Sequence, residues 1–212
     1  MGDKMKVKEF TVGDLMVKSY IVSQSGKAFV IDPGAEGERL YNYLKENNLE
    51  LKYIINTHGH FDHIAANKFL KEKTGAEVLA HPKADLKFSN PQFNLSSLFS
   101  NKEILAPLLD RAVRDGEKIK FGSFKLEFIF TPGHSEDGIS IYIPEEKVLF
   151  SGDCIFANGI GRTDLKDSNY KELKESVENK LFQLPDNCTY YPGHGPSSKL
   201  AKFKNSVWPA IS

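Results

Sequence analysis

The stretch that most constrains this chain is Thr57-His58-Gly59-His60-Phe61-Asp62-His63, where three histidines and an aspartate fall within six residues. It follows the apolar run Leu51-Lys52-Tyr53-Ile54-Ile55-Asn56, which reads as a buried strand. It precedes Ile64-Ala65-Ala66-Asn67-Lys68-Phe69-Leu70, which reads as a helix with Asp62 near its N-terminus. The cluster therefore sits on the loop where a strand hands over to a helix. His58 and His60, two apart in extended chain, project to one side. Asp62 and His63 lie where the chain turns, facing a point beside the first. One metal takes three or four such ligands, so the stretch points to two adjacent metals.

Three further places share the design of a strand running into a tight turn that carries a ligand-type side chain. They are Phe130-Thr131-Pro132-Gly133-His134-Ser135, Phe150-Ser151-Gly152-Asp153-Cys154 and Tyr191-Pro192-Gly193-His194-Gly195. Glycine before each ligand lets the backbone turn sharply and come close to a metal. His81, which precedes Pro82, is the exception among the six histidines and reads as structural or exposed. Counting donors, His58, His60 and His134 supply three nitrogens to one metal, the ligand count of a hydrolytic zinc site. Asp62, His63 and His194 supply a second metal, and Asp153 is left to bridge. Two divalent ions are expected, zinc first, with iron or manganese tolerated by the same donors. A water shared between them would ionise near neutral pH, at a pKa of ~7.

The rest of the chain reads as strands first and strand–helix alternation after. Residues 5–10, 16–23 and 27–32 are expected strands, the last stopped by Pro33-Gly34. Leu40, Tyr43 and Leu44 put a helix over 36–47, residues 62–73 a second, and 77–80 a short strand. Residues 82–118, punctuated by Pro82, Pro91 and Pro107, show no clean period and are expected to be an irregular excursion, either a surface segment with a short helix or two or a lid. Regularity returns with hairpins over 118–130 and 139–151, a helix over 171–181 with Leu173, Val177 and Leu181 on one face, and a strand over 189–191. Without a low-complexity linker or a repeat, residues 1–212 read as one domain. The Trp208-Pro209 tail offers an apolar contact.

Composition removes some functions. Lys+Arg and Asp+Glu are both 28, so the formal charge is zero and nothing resembles the electrostatic footprint of a nucleic-acid or anionic-membrane partner. The expected partner is a small-molecule substrate. Two cysteines are too few for a disulfide framework, residues 1–10 hold no apolar signal core, and no run approaches the ~18 apolar residues of a membrane span. We expect a soluble, cytoplasmic protein.

The pattern His58-x-His60-x-Asp62-His63, followed by His134, Asp153 and His194, resembles the seven-ligand set of the metallo-β-lactamase superfamily, in the family's order. The resemblance covers nearly the whole chain. It implies an α/β fold, the αβ/βα four-layer sandwich with two mixed β-sheets, with both metals at one edge where strand-end loops gather. Strands of 5–56 would belong to the first half and those from about 118 to the second. Gly161-Arg162-Thr163-Asp164 resembles the glyoxalase II-like branch, which also contains persulfide dioxygenases. Pro192-Gly193-His194-Gly195-Pro196 and Asn94-Leu95-Ser96 resemble its small single-domain bacterial hydrolases, the hydroxyacylglutathione hydrolase-like proteins.

That likeness implies hydrolysis of a small thioester by metal-bound hydroxide, with Asp62 in the catalytic machinery. The alternatives are a mononuclear iron persulfide dioxygenase and, further off, a phosphodiesterase or lactone hydrolase. Two departures stand out. Full-length glyoxalase II has a C-terminal helical domain whose basic residues hold the glutathione carboxylates, and we expect it to be absent here. Lactamases of the single-cysteine type put Cys at the bridging position, where this chain has Asp153; Cys154 beside it is expected to be buried, and Cys188 half-buried. Arg162 is expected to lock its loop by pairing with Asp164, or else to bind an anionic substrate group. Phe61, Phe99 and Phe156 are candidate substrate contacts. Asp32, ending the third strand, is placed to take a ring proton from a ligand histidine.

Overall fold

The computed structural model describes residues 4–211, and the chain divides into two compact units, one running to Val113 and one starting at Arg114. Each is built on a mixed six-stranded sheet.

In the first unit, β1 (Lys6–Val12), β2 (Val17–Gln24) and β3 (Lys27–Ile31) form an antiparallel meander. Helix α1 (Gly37–Glu46) then returns the chain to β4 (Glu50–Ile55), which runs parallel to β3. The short α2 (Phe61–Ile64) and α3 (Asn67–Thr74) lead to β5 (Glu77–Ala80), again parallel. Crossover helices explain the sequence character of these strands. β3 buries all of Ala28, Phe29, Val30 and Ile31, as a strand covered on both faces must. Leu40 and Leu44 from α1 and Leu70 from α3 pack on Ile21, Val30, Ile54 and Val78 of the sheet.

The single helix expected over 62–73 is broken in two. Ala66 N–H, whose partner in an unbroken helix would be the Asp62 carbonyl, donates instead to Pro33 O at 2.9 Å. Asn56 Nδ2 takes the His63 carbonyl at 2.9 Å, and Asn67 Nδ2 returns a bond to Asn56 Oδ1 at 2.7 Å. Residues 82–118 carry the short helices that one of the two expected readings allowed, together with a short strand. They hold α4 (Ala84–Ser89), α5 (Ser96–Phe99) and β6 (Arg111–Ala112), and β6 extends the first sheet by pairing parallel to β5. Buried Asn94 organises the segment: its Nδ2 donates to the Lys87 and Ile104 carbonyls and its Oδ1 accepts Ser96 N–H.

In the second unit, β7 (Lys118–Phe121), β8 (Phe124–Phe130), β9 (Ile139–Ile143) and β10 (Val148–Gly152) are antiparallel neighbours. β11 (Ile155–Phe156) and β12 (Gly159–Ile160) make a separate small hairpin. Helix α6 (Tyr170–Asn179), capped by the Asn169 side chain on Lys171 N–H and Glu172 N–H, buries Leu173 and Val177. It returns the chain to β13 (Thr189–Pro192), parallel to β10, and β14 (Ser198–Lys199) closes the sheet. Trp208 does not offer the external contact expected of it. The chain beyond β14 folds into helical turns that bury Trp208 against Phe182 and Phe203, with its indole N–H donating to Glu178 at 3.2 Å. Among the described residues no helix is long and apolar enough to cross a membrane.

Candidate metal centre

Strand direction gathers the ligand-type side chains of each unit. In the first, the parallel register pairs Ile31 with Ile55, so the residues that leave β3 and β4 at their C-terminal ends emerge side by side. Asp32 leaves with left-handed backbone, φ 48°, which aspartate tolerates better than most residues. Its carboxylate accepts Thr57 N–H at 2.7 Å and the Thr57 hydroxyl at 2.6 Å, and meets His63 Nδ1 at 3.0 Å. His58, His60 and His63 are buried, and the His58 ring centroid lies 4.6 Å from that of His60 and 4.1 Å from that of His63.

In the second unit, β8 and β10 run the same way because each is antiparallel to β9, and β13 is parallel to β10. Their C-terminal ends therefore bring His134, Asp153 and His194 to one sheet edge. Asp153 Oδ2 lies 3.5 Å from His134 Nε2 and 3.6 Å from His194 Nε2.

Hydrogen bonding decides which ring nitrogens carry protons. The Thr57 hydroxyl gives its one proton to Asp32, so it can only accept from His58 Nδ1, 3.1 Å away. His63 Nδ1 faces the Asp32 carboxylate and His134 Nδ1 faces the Arg162 carbonyl at 3.0 Å, both acceptors. All three imidazoles, when neutral, are thus protonated at Nδ1 and carry the lone pair on Nε2. The His63 lone pair then faces Asp62 Oδ2 at 3.6 Å, and that of His134 faces Asp153 at 3.5 Å. Two electron-rich atoms directed at each other repel unless a cation sits between them. Donor atoms on a tetrahedral ion with bonds of ~2.0–2.1 Å lie roughly 3.3 Å apart, close to both spacings. Each unit thus carries a His/Asp cluster suited to metal binding.

Two glycines are required by this packing. A Cβ on Gly34 would fall 1.7 Å from the Asp62 carbonyl oxygen, so only glycine lets the turn after β3 touch α2. A Cβ on Gly161 would fall 2.0 Å from the Asp153 carbonyl oxygen and 2.9 Å from His134 Cβ.

Residues 12–194 match the family profile of the metallo-β-lactamase superfamily. The chain belongs to that superfamily. It is 34% identical over 92% of its length to the probable metallo-hydrolase YqgX of Bacillus subtilis, covering 93% of that protein. It is 35% identical to the hydroxyacylglutathione hydrolase GloC of Haemophilus influenzae, over 89% of both chains. Among solved structures, the B3 metallo-β-lactamase BLEG-1 overlays with a TM-score of 0.92 at 31% identity, over 95% of this chain and 98% of that one. TTHA1623 in a di-iron-bound form overlays at 0.79 with 31% identity, over 94% and 98%. The metallo-β-lactamase fold is therefore shown, and with it a metal-dependent hydrolase.

The remaining candidates of this superfamily member fall in distinct places. Arg162 forks onto Asp164, Nε to Oδ1 at 2.7 Å and Nη2 to Oδ2 at 2.8 Å, the loop-locking pair expected. The guanidinium holds the Asp164 carboxyl down at about 2. Phe156 lies edge-on to His194, with ring centroids 6.2 Å apart. Phe61 and Phe99, together with Asp62, line a cavity of about 650 Å³ in the first unit. His81 is half-buried. Cys154 is buried as expected; burial, with a smaller push from the Asp153 charge, raises its thiol to about 12. Cys188 is fully buried rather than half-buried, which raises its thiol to about 11. The partners that set the histidine tautomers were less visible in sequence. Thr57 stood beside His58 without a sign of its role, and the Arg162 contribution to His134 is a backbone carbonyl, which no side-chain pattern reports.

Proposed function

We propose that the chain hydrolyses small thioesters of the hydroxyacyl-thiol type. On this reading His58, His60 and His134 would hold one divalent metal and Asp62, His63 and His194 a second, with Asp153 available as a further carboxylate ligand. The observation that carries this reading is the 35% identity to a hydroxyacylglutathione hydrolase over 89% of both chains. When bound, such ions supply Lewis acidity that lowers the pKa of a coordinated water and polarises a carbonyl oxygen. The protein's part is to present neutral imidazoles. Asp32 and Thr57 keep His63 and His58 in the Nδ1–H form, and Arg162 O does so for His134. We assign to Asp62, beside His63 at 3.6 Å, the proton released as water attacks the carbonyl. A thiolate leaves without a strong general acid, because a thiol ionises at a pKa of ~8.5. Substrate-sized molecules are the expected partners, and zinc, iron and manganese all suit the donors.

The test is hydrolysis of S-lactoylglutathione by protein loaded in turn with zinc, iron and manganese, with His58→Ala as the blank. The expected result is metal-dependent turnover that the His58 variant lacks. No turnover with any metal overturns the assignment. Oxygen uptake with glutathione persulfide on the iron form would then support the persulfide dioxygenase reading that Gly161-Arg162-Thr163-Asp164 suggests.

A further inference from the structure

Asn56 and Asn67 are both fully buried in the first unit, where the sheet and its crossover helices pack through apolar side chains. A buried carboxamide is costly unless its donor and acceptor are both used. Here the two amides use each other. Asn67 Nδ2 donates to Asn56 Oδ1 at 2.7 Å, and Asn56 Nδ2 donates to the His63 carbonyl at 2.9 Å, with Asn67 Oδ1 3.4 Å from the same nitrogen.

Each asparagine is anchored on its own element. Asn56 leaves the end of β4, and its N–H donates to Leu79 O of β5 at 2.9 Å. Asn67 opens α3, just after Ala66, whose N–H is held by Pro33 O and whose carbonyl accepts Leu70 N–H at 3.0 Å. In an unbroken helix the His63 carbonyl would accept the N–H of residue 67. The Asn56 amide takes that carbonyl instead. Asn67 decides which way round the Asn56 amide lies: turned over, it would set its oxygen against the His63 carbonyl and its nitrogen against the Asn67 nitrogen. The pair thus fixes where α2 ends.

α2 carries two of the candidate ligands, and His63 Nε2 lies 3.6 Å from Asp62 Oδ2. The His63 ring is steadied from the other side by Asp32, and the amide pair holds the backbone of the same residue. The His58 ring takes its orientation from Thr57 instead. We propose that Asn56 and Asn67 are positioning residues for the second metal: by ending α2 at His63 they aim Asp62 and His63 at one ion, and they leave the first ion to His58, His60 and His134. This rests on the two-metal reading. Leucine at 67 would fill similar space with neither bond, and aspartate there would set an acceptor against Asn56 Oδ1.

Titration of the metal-free chain with zinc, in competition with a chromophoric chelator, tests the proposal. Asn67→Leu is expected to weaken one ion by about 10–100-fold, the same ion that His63→Ala weakens. Asn67→Asp, the closer in shape, should act in the same direction and keeps the test open if the leucine variant does not fold. In a His63→Ala background, Asn67→Leu should leave the remaining metal affinity within about twofold, the scatter of independent sites. A general loss of packing would weaken that remaining ion as well. Unchanged affinity in both Asn67 variants, or an equal loss with and without His63, overturns the proposal. Metal binding untouched by His63→Ala would sink the second metal itself, and this inference with it.

Discussion

Asp32 sets the chemistry of histidines that lie 26 and 31 positions further along the chain. Its carboxylate takes Thr57 N–H, the Thr57 hydroxyl and His63 Nδ1, and through the Thr57 hydroxyl it also directs the His58 ring. Replacing one carboxylate oxygen by an amide puts an N–H donor where only acceptors fit. Asp32→Asn is therefore expected to lower metal affinity by about 10–100-fold, the usual cost of losing such a supporting group. Competition against a chromophoric chelator measures it. Wild-type affinity in the variant would show that the His63 tautomer does not depend on Asp32.

At the scale of elements, the two halves of the first unit are held differently. The sheet and its crossover helices rest on apolar burial, with Val30, Leu40, Ile54 and Val78 fully enclosed. The stretch from α4 to β6 adds Ala84 and Phe88 to that core and relies besides on polar groups, among them Asn94, whose side chain joins the Lys87 and Ile104 carbonyls to Ser96 N–H. Asn94→Ala leaves three backbone groups short of a partner inside the protein, at about 1–3 kcal/mol for each that water cannot reach. The expected outcome is a loss of about 2–4 kcal/mol in urea unfolding, with proteolytic cleavage appearing first in residues 82–113. Cleavage unchanged in rate and position would mean that the segment is held by something other than Asn94. Its backbone carbonyl also accepts Phe61 N–H at 2.9 Å, so the same residue ties this stretch to the start of α2.

At the scale of the whole molecule, four proposed ligands lie before Val113 and three after Arg114. A metal that binds only the folded chain stabilises it by RT ln(1 + [L]/Kd), about 2.7 kcal/mol at a hundredfold excess over Kd. For a chain of 212 residues each kcal/mol moves Tm by about 2–4 °C. Stripping the metal with a chelator should therefore lower Tm by roughly 5–10 °C, and restoring zinc should recover it; scanning calorimetry before and after dialysis is the check. An identical Tm in both states would mean that the clusters hold no ion at the concentrations used.

Local chemistry was enough to locate most of this protein. A cluster of ligand-type residues at a strand-to-helix handover and three glycine turns at strand ends mark the candidate site, because metal donors and sharp turns each need particular residue types in a fixed local order. The hairpin over 118–130 and the strand 77–80 were legible for the same reason, as period and turn residues are properties of adjacent positions. Contacts between distant positions were decided only in three dimensions. The break between α2 and α3 follows from Pro33 and Asn56 capturing backbone groups of a segment whose own pattern is continuously helical. Gly161 must be glycine because Asp153 and His134 crowd it. The order of 82–113 comes from buried Ala84 and Phe88 and from side chains such as Asn94 and Asp85 that take backbone groups distant in sequence, none of which shows as a period. Trp208 reads as an apolar contact offered by the tail, yet it lies inside the second unit because Phe182 and Phe203 offer it a place there.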